Sequence, residues 1–157
     1  MDFTKIMSKV YLDGKVMEQM RDSYSKMGML RLDGFFNELS YERLFDILKD
    51  TRFIRRKMPN KYSLGNVSRV EMIEKLFLSK DFLDFVNFIY GKKYRKCSVW
   101  INEFQHKDYT LLEAFGQDRE GDEFFVIFSD SWDDLFGGQI IYKTDDDSFI
   151  FSINGNS

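Results

Sequence analysis

The sequence predicts a single α+β domain in which helices precede a run of antiparallel strands. Apolar residues recur at intervals of three or four positions up to about residue 95, and at every second position from residue 96 onward. The composition agrees with this prediction, because 43% of the 157 residues are hydrophobic and 17 of them are Phe. We therefore expect a helical scaffold over residues 1–95 and a strand meander over residues 96–157.

Two helices are predicted in the first fifty residues. The first has one apolar face and stops at Gly28, which can end a helix in a left-handed conformation. A turn follows at Asp33-Gly34, and Ser40 is the predicted N-cap of the second helix. The apolar face of the first helix consists of Val16, Met17, Met20, Tyr24 and Met27.

The next segment combines a short extended stretch with two more helices. Residues 51–57 alternate as in a strand, and the only proline, Pro59, predicts a loop that continues to residue 65. Ser68 and Glu71 have the spacing of a capping box, which predicts a helix start. The last helix is predicted to end at Gly91.

Five strands are predicted after the helices, the last two joined by the acidic turn at residues 145–147. The chain ends on a turn signal, Gly155-Asn156, directly after the last strand. Either the sheet is unfinished at this end or the last strand is the edge of a finished domain. An open edge favours pairing with a second copy of the chain, which predicts a homodimer. The predicted strands are residues 97–102, 109–115, 123–129, 139–143 and 148–153.

Charge and cysteine usage exclude several classes of protein. Lys and Arg number 23 against 26 Asp and Glu, a net charge of −3, which predicts neither a nucleic-acid nor a membrane partner. Cys97 is the only cysteine, so the chain has no internal disulfide and no cysteine-based zinc site. No secretory signal and no apolar run of about 18 residues is visible. These features predict a cytoplasmic protein.

His106 and Asp108 are the candidate metal ligands. In extended backbone, residues two apart point to the same face, and one strand end can supply two ligands of a His/carboxylate iron site. The competing interpretation is an exposed polar pair without a function. His106 is the only histidine, so a site with two histidines and one carboxylate is incomplete within this chain.

The remaining candidates are aromatic residues and glycines, since no phosphate loop, nucleophile elbow or dinucleotide-binding fingerprint occurs. Trp132 precedes Gly137-Gly138, a pair that lets a strand bend or approach another group closely. A hairpin loop held by a buried tryptophan is the simpler interpretation. A third possibility is a carbohydrate-binding sandwich in which Trp100 or Trp132 stacks on a sugar, which requires an exposed ring.

Several motifs together carry a resemblance to a known family. They are an aliphatic and aromatic strand at residues 124–128, Trp132, the Gly137-Gly138 strand, the turn at residues 152–156, and the segment at residues 32–36. Together they resemble the core of the prolyl 4-hydroxylase-like Fe(II)- and 2-oxoglutarate-dependent dioxygenases. The resemblance covers most of the chain.

The resemblance implies N-terminal helices packed on a β jelly-roll, or double-stranded β-helix, that is incomplete at the C-terminus. It implies an oxidoreductase that uses Fe(II) and 2-oxoglutarate to hydroxylate a protein or a small molecule. In one placement of the iron motif, His106 and Asp108 are the ligands. In the other, Tyr109 begins the motif, Glu113 occupies the histidine position and Phe115 the aspartate position, and no metal binds.

By the same resemblance, the distal histidine and the basic residue that anchors 2-oxoglutarate are expected beyond Ser157. Without that anchor the co-substrate loses a charge-assisted contact. Two functions follow as hypotheses: a domain of a 2-oxoglutarate-dependent oxygenase, or a non-catalytic jelly-roll module that binds a partner.

Overall fold

The computed structural model describes residues 2–58, 62–67, 69–110, 122–129, 139–143, 148–153 and 155–156. Helices and antiparallel strands both occur, so the predicted α+β class is confirmed. Within these ranges, no helix has both the length and the apolar character needed to cross a bilayer. The helices are α1 (Phe3–Ile6), α2 (Gly14–Met27), α3 (Glu38–Lys49), α4 (Glu71–Phe77) and α5 (Lys80–Tyr90), with a 3-10 turn at Lys9–Leu12. The strands are β1 (Ile54–Met58), β2 (Tyr62–Val67), β3 (Ile101–Glu103), β4 (Tyr109–Thr110), β5 (Ile140–Lys143) and β6 (Ser148–Phe151).

The predicted glycine stops are confirmed. Gly28 ends α2 with φ 69°, and Gly91 ends α5 with φ 64°, both in the left-handed region where glycine has no steric cost. Asp13 caps the start of α2, because its side chain accepts hydrogen bonds from the backbone N–H groups of Lys15 and Val16.

The predicted N-cap of α3 is wrong by three residues. Asn37, not Ser40, precedes the helix, and its side-chain oxygen accepts a hydrogen bond from the backbone nitrogen of Ser40 at 3.0 Å. The helix therefore begins at Glu38. Further along, Glu71 opens α4, while its predicted capping-box partner Ser68 lies outside the described residues.

Aromatic side chains form the centre of the core. Phe3, Phe35 and Phe36 are at most 2% exposed, and so are Leu44 and Leu76 from α3 and α4. Phe3 comes from α1, whereas Phe35 and Phe36 come from the segment between α2 and α3. The partly buried side chains of Val67 and Ile101, which are cross-strand partners in β2 and β3, pack against this core.

The main correction to the predicted architecture is a hairpin inside the helical half. The loop predicted up to residue 65 is instead largely β2, which pairs with β1 in antiparallel register from Ile54↔Asn66 to Met58↔Tyr62. β2 also pairs with β3 and β4, so it is the central strand. Ser63, Gly65 and Asn66 lower the intrinsic strand propensity of β2, and pairing on both sides compensates for this.

The strands of the C-terminal half agree with the predictions in part. The β5–β6 hairpin is confirmed, although its turn at residues 145–147 lies outside the described residues. The first predicted strand, residues 97–102, overlaps the observed β3 only at residues 101 and 102, because β3 covers Ile101–Glu103. Residues 122–129 form no ladder with another described strand, but they alternate as predicted, with Phe124, Val126 and Phe128 against the core.

Asn156 connects the end of the chain to the segment before α3. Its side chain accepts a hydrogen bond from the Phe36 backbone nitrogen and donates one to the Phe36 carbonyl, both at 2.8 Å. Its carbonyl accepts from the backbone nitrogens of Gly34 and Phe35, and its own nitrogen donates to the carbonyl of Ile127. One residue therefore joins both halves of the chain.

Candidate functional site

The candidate ligands lie in an interruption of a strand. β3 and β4 run in the same direction along β2, where Glu103 pairs with Gly65 and Tyr109 pairs with Ser63. Between these pairs, the five residues 104–108 lie opposite Leu64 alone. We call this segment the 104–108 bulge. Bulges redirect side chains and occur frequently next to functional sites.

The prediction that His106 and Asp108 lie in extended backbone is wrong. The Asp108 nitrogen donates to the Gln105 carbonyl at 2.9 Å, which closes a turn, and Lys107 has a positive φ of 69°. The Asp108 side chain completes this turn by accepting a hydrogen bond from the Gln105 nitrogen at 2.7 Å. His106 is exposed at the turn, so the two candidate ligands do not share a strand face.

Asp108 accepts hydrogen bonds from more groups than the other carboxylates of this region do. Its side chain is only 4% exposed. Both carboxylate oxygens accept hydrogen bonds from the Arg55 guanidinium, and one of them also accepts from the Ser63 hydroxyl at 2.8 Å. Asp108 therefore joins β1, β2 and the 104–108 bulge. We call Arg55, Ser63, Gln105 and Asp108 the Asp108 cluster.

Gly65 makes room for a second ion pair beside this cluster. Arg55 and Glu103 flank Gly65 in the sheet register and meet across it, with 3.4 Å between the guanidinium and the carboxylate. A Cβ atom on Gly65 would lie 2.8 Å from the Glu103 carboxylate and 3.0 Å from the Cβ of Phe53. The absence of a side chain in the central strand thus lets residues from its two neighbours pair.

The hydrogen bonds of the cluster stabilise the charged forms of its members. Burial alone would raise the pKa of the Asp108 carboxyl, but hydrogen bonds from Arg55, the Gln105 nitrogen and Ser63 outweigh it and hold the pKa below its usual value. The same contact with Asp108 raises the pKa of Arg55. Asp108 and Arg55 are thus an ion pair at neutral pH.

Fe(II), which the family resemblance implies, does not fit this arrangement of Asp108. An iron ligand needs a carboxylate oxygen aimed at the metal, and both Asp108 oxygens already accept hydrogen bonds from Arg55. The described ranges contain no group of three His, Cys, Asp or Glu side chains arranged to hold a metal ion. A metal role for His106 and Asp108 stays a prediction, and it requires Asp108 to leave Arg55.

The other predicted site residues are placed only in part. Glu113, Phe115, Trp132 and the Gly137-Gly138 pair lie outside the described residues. Trp100 is 63% exposed, as the carbohydrate-stacking hypothesis requires of a ring.

Sequence reasoning missed Arg55 and Ser63. Arg55 belongs to a short basic run, Arg55-Arg56-Lys57, which resembles a solvated loop. Neither residue has a local signal that relates it to Asp108, 53 and 45 positions away.

Comparison with known proteins adds no assignment: no family model matches the chain, and no curated protein matches it significantly in sequence. The resemblance to the dioxygenases therefore depends on the motifs quoted above.

Replacing Asp108 by asparagine is expected to lower the free energy of unfolding by about 1–3 kcal/mol at pH 7, because the hydrogen bonds to a charged carboxylate are lost. The folded-state pKa of Asp108 is depressed, so its stabilisation is present above the unfolded pKa near 3.8 and is lost as the pH falls through the folded pKa. The difference in stability between the wild type and Asp108→Asn is therefore expected to shrink as the pH falls below about 4. Urea unfolding between pH 3 and 7 measures this.

Asp22→Asn is a matched control, because Asp22 is exposed on α2. We expect this change to alter the free energy of unfolding at pH 7 by less than about 0.5 kcal/mol. A difference between wild type and Asp108→Asn that stays constant over the whole pH range would contradict the role assigned to the carboxylate.

Proposed function

We propose that this chain is a non-catalytic binding module on a jelly-roll-like α+β scaffold, in which Asp108 stabilises the sheet and does not hold a metal. The observation that carries the proposal is the engagement of the Asp108 carboxylate, which accepts hydrogen bonds from Arg55, Ser63 and the Gln105 nitrogen. A carboxylate used in this way is a structural group. The proposal includes a cytoplasmic location, in keeping with a lone unpaired Cys97.

The sheet surface supports a role in binding. Large apolar side chains are exposed on and beside the strands, among them Ile54 at 63%, Trp100 at 63% and Phe104 at 49%. Exposed apolar residues near strand edges are a common basis of protein recognition. By contrast, the Asp108 cluster offers neither an activated nucleophile nor a general base, since its carboxylate is paired with Arg55.

A direct test combines metal binding with turnover. We expect calorimetric titration with Fe(II) under anaerobic conditions, or with Mn(II), to give no binding that depends on Asp108. We also expect no succinate from 2-oxoglutarate. Metal binding that Asp108→Asn and His106→Ala each abolish, together with succinate formation, would overturn the proposal.

Binding is tested separately by selection from a displayed library of random peptides against the full chain. We expect a recurrent sequence pattern whose synthetic peptide binds with a dissociation constant in the micromolar range or tighter, about −8 kcal/mol. Unfolded chain, prepared in urea and immobilised, is the control. A selection that returns no pattern, or the same pattern on unfolded chain, contradicts a peptide-binding module.

The second candidate function is the oxygenase. It is favoured by the exposure of His106 two residues from Asp108, because a local rearrangement of the 104–108 bulge would bring two ligand types to one end of the sheet. The metal titration above distinguishes it from the binding module.

A further inference from the structure

Among the strands that the structure describes, β1 lies at an edge of its sheet. It pairs with β2 on one side, and on its other side no described strand lies next to it. All five of its residues are exposed. An edge strand of this length offers unpaired backbone N–H and C=O groups to an incoming chain.

The exposed side chains of β1 are basic and apolar. Within the described parts of the chain, Arg56 and Lys57 have no carboxylate partner, whereas Arg55 pairs with Asp108 and Glu103. Ile54 and Met58, at the two ends of the strand, are 63% and 43% exposed. Among the described residues, β1 thus carries two cations without a carboxylate partner, and an exposed apolar side chain stands at each end of the strand.

The Asp108 cluster holds this edge in place. Arg55 is the second residue of β1, and its contacts with Glu103 of β3 and with Asp108 of the 104–108 bulge join β1 to the far side of β2. A rigid edge loses less conformational entropy when a peptide binds than a mobile one. The role of Asp108 as a structural group is thus linked to the presentation of β1.

The charges on β1 disfavour pairing of this edge with the same edge of a second copy. Two antiparallel β1 strands would bring Arg56 and Lys57 of both copies into one small area, and like charges on neighbouring strands are destabilising. Charged residues on edge strands commonly prevent such self-association. The same charges attract a strand that carries carboxylates.

We propose that β1 binds an acidic, extended segment of a partner protein by strand addition; this inference rests on the proposed function as a binding module. Side chains on a strand alternate between faces, so Ile54, Arg56 and Met58 share one face and Arg55 and Lys57 the other. A partner strand that pairs antiparallel with β1 has its first residue opposite Met58 and its fifth opposite Ile54. Its matching sequence, in that direction, is apolar, acidic, acidic, polar, apolar. The polar position lies opposite Arg55.

The test uses a fluorescent synthetic peptide with the core Val-Glu-Glu-Thr-Val and the full chain. We expect saturable binding that weakens as salt rises from 0.05 to 0.5 M, because the attraction is between exposed charges. A peptide with Gln in place of both Glu residues should bind about tenfold more weakly. Hydrogen exchange should show new protection of backbone amides within residues 54–58 when the acidic peptide is bound.

Variants of β1 test the assignment of the surface. Arg56→Glu/Lys57→Glu is expected to abolish binding of the acidic peptide, and Arg56→Gln/Lys57→Gln to weaken it about tenfold while disturbing the sheet less. Lys15→Glu/Lys93→Glu, with the same change in net charge at exposed positions elsewhere, is the matched control. Thermal unfolding establishes that each variant is folded.

The possible failures are distinguishable. If library selection returns a recurrent peptide that protects amides outside residues 54–58, the module binds a partner but the assignment to β1 is wrong. If β1 amides are protected without peptide in a concentration-dependent manner, and sedimentation shows a dimer, a second copy occupies the edge and the inference is overturned. If metal titration and succinate formation are positive, the proposed function itself fails.

Discussion

Phe35→Ala is expected to lower the free energy of unfolding by about 3–5 kcal/mol, since a buried phenylalanine is lost and a cavity remains. Phe35 is 1% exposed. Its ring lies 5.0 Å from that of Phe36 and 5.3 Å from that of Phe124, measured between centroids. The cavity would therefore open between the helical half and the segment at residues 122–129. Urea unfolding, monitored by circular dichroism, measures the change in the free energy of unfolding.

Phe125→Ala is the matched control, because it makes the same chemical change at a side chain that is 61% exposed. We expect it to change the free energy of unfolding by less than about 0.5 kcal/mol. If the two substitutions had equal effects, Phe125 would also contribute to the core, and the assignment of alternate residues of 122–129 to the core and to the surface would be wrong.

Asn156→Ala is expected to destabilise the fold by about 2–4 kcal/mol, from two lost side-chain hydrogen bonds and a less favourable backbone conformation. The substitution leaves the backbone nitrogen and carbonyl of Phe36 without their Asn156 partner, and Phe36 is 2% exposed. Asn156 has φ 60°, a conformation that asparagine tolerates better than alanine. Urea unfolding of the wild type and the variant measures the loss.

Two further substitutions at this position separate the causes. Asn156→Gly loses the same side-chain bonds but tolerates the positive φ, so it is expected to be about 1 kcal/mol more stable than Asn156→Ala. Asn156→Asp keeps an acceptor for the Phe36 nitrogen but, when ionised, cannot donate to the Phe36 carbonyl. Its stability is expected to lie between those of the wild type and the glycine variant. Equal stability of the alanine variant and the wild type would contradict the role of Asn156.

The hydrogen bonds of Asn156 join two segments that lie far apart in the sequence. The segment at residues 32–36 and the turn at residues 152–156 are two of the motifs that resemble the dioxygenases, and the hydrogen bonds of Asn156 bring them together. Gly155 has a related constraint, since a Cβ atom there would lie 2.7 Å from both the Ser129 carbonyl and the Tyr41 hydroxyl. The C-terminal turn is therefore closely packed against the segment before α3 and against residue 129.

From the sequence, the candidate site is predictable only as a histidine and a carboxylate two residues apart, and their surroundings are not. The sequence singles out His106 because it is the only histidine, and Asp108 because of its spacing. It does not reveal that Asp108 accepts hydrogen bonds from Arg55, because the two residues lie 53 positions apart and belong to different strands. The turn at residues 105–108 was missed for a related reason. Its closing hydrogen bonds involve a side chain whose other partners are distant in sequence.

Two of the helices, α2 and α5, can be derived from local pattern alone. The apolar spacing of α2 and α5 and the stops at Gly28 and Gly91 depend on residues within one or two helical turns. The β5–β6 hairpin is similar, because its strands are adjacent in sequence and alternate regularly.

The binding edge and the structural role of Asp108 depend on tertiary structure. β2 contains Gly65 and several polar residues, and it becomes a central strand only because β1, β3 and β4 all pair with it. That pairing leaves β1 at the edge and brings Arg55 to Asp108. Hydrogen bonds between distant strands leave no periodic trace in the sequence, so the ion pair of Asp108 with Arg55 is visible only in the assembled sheet.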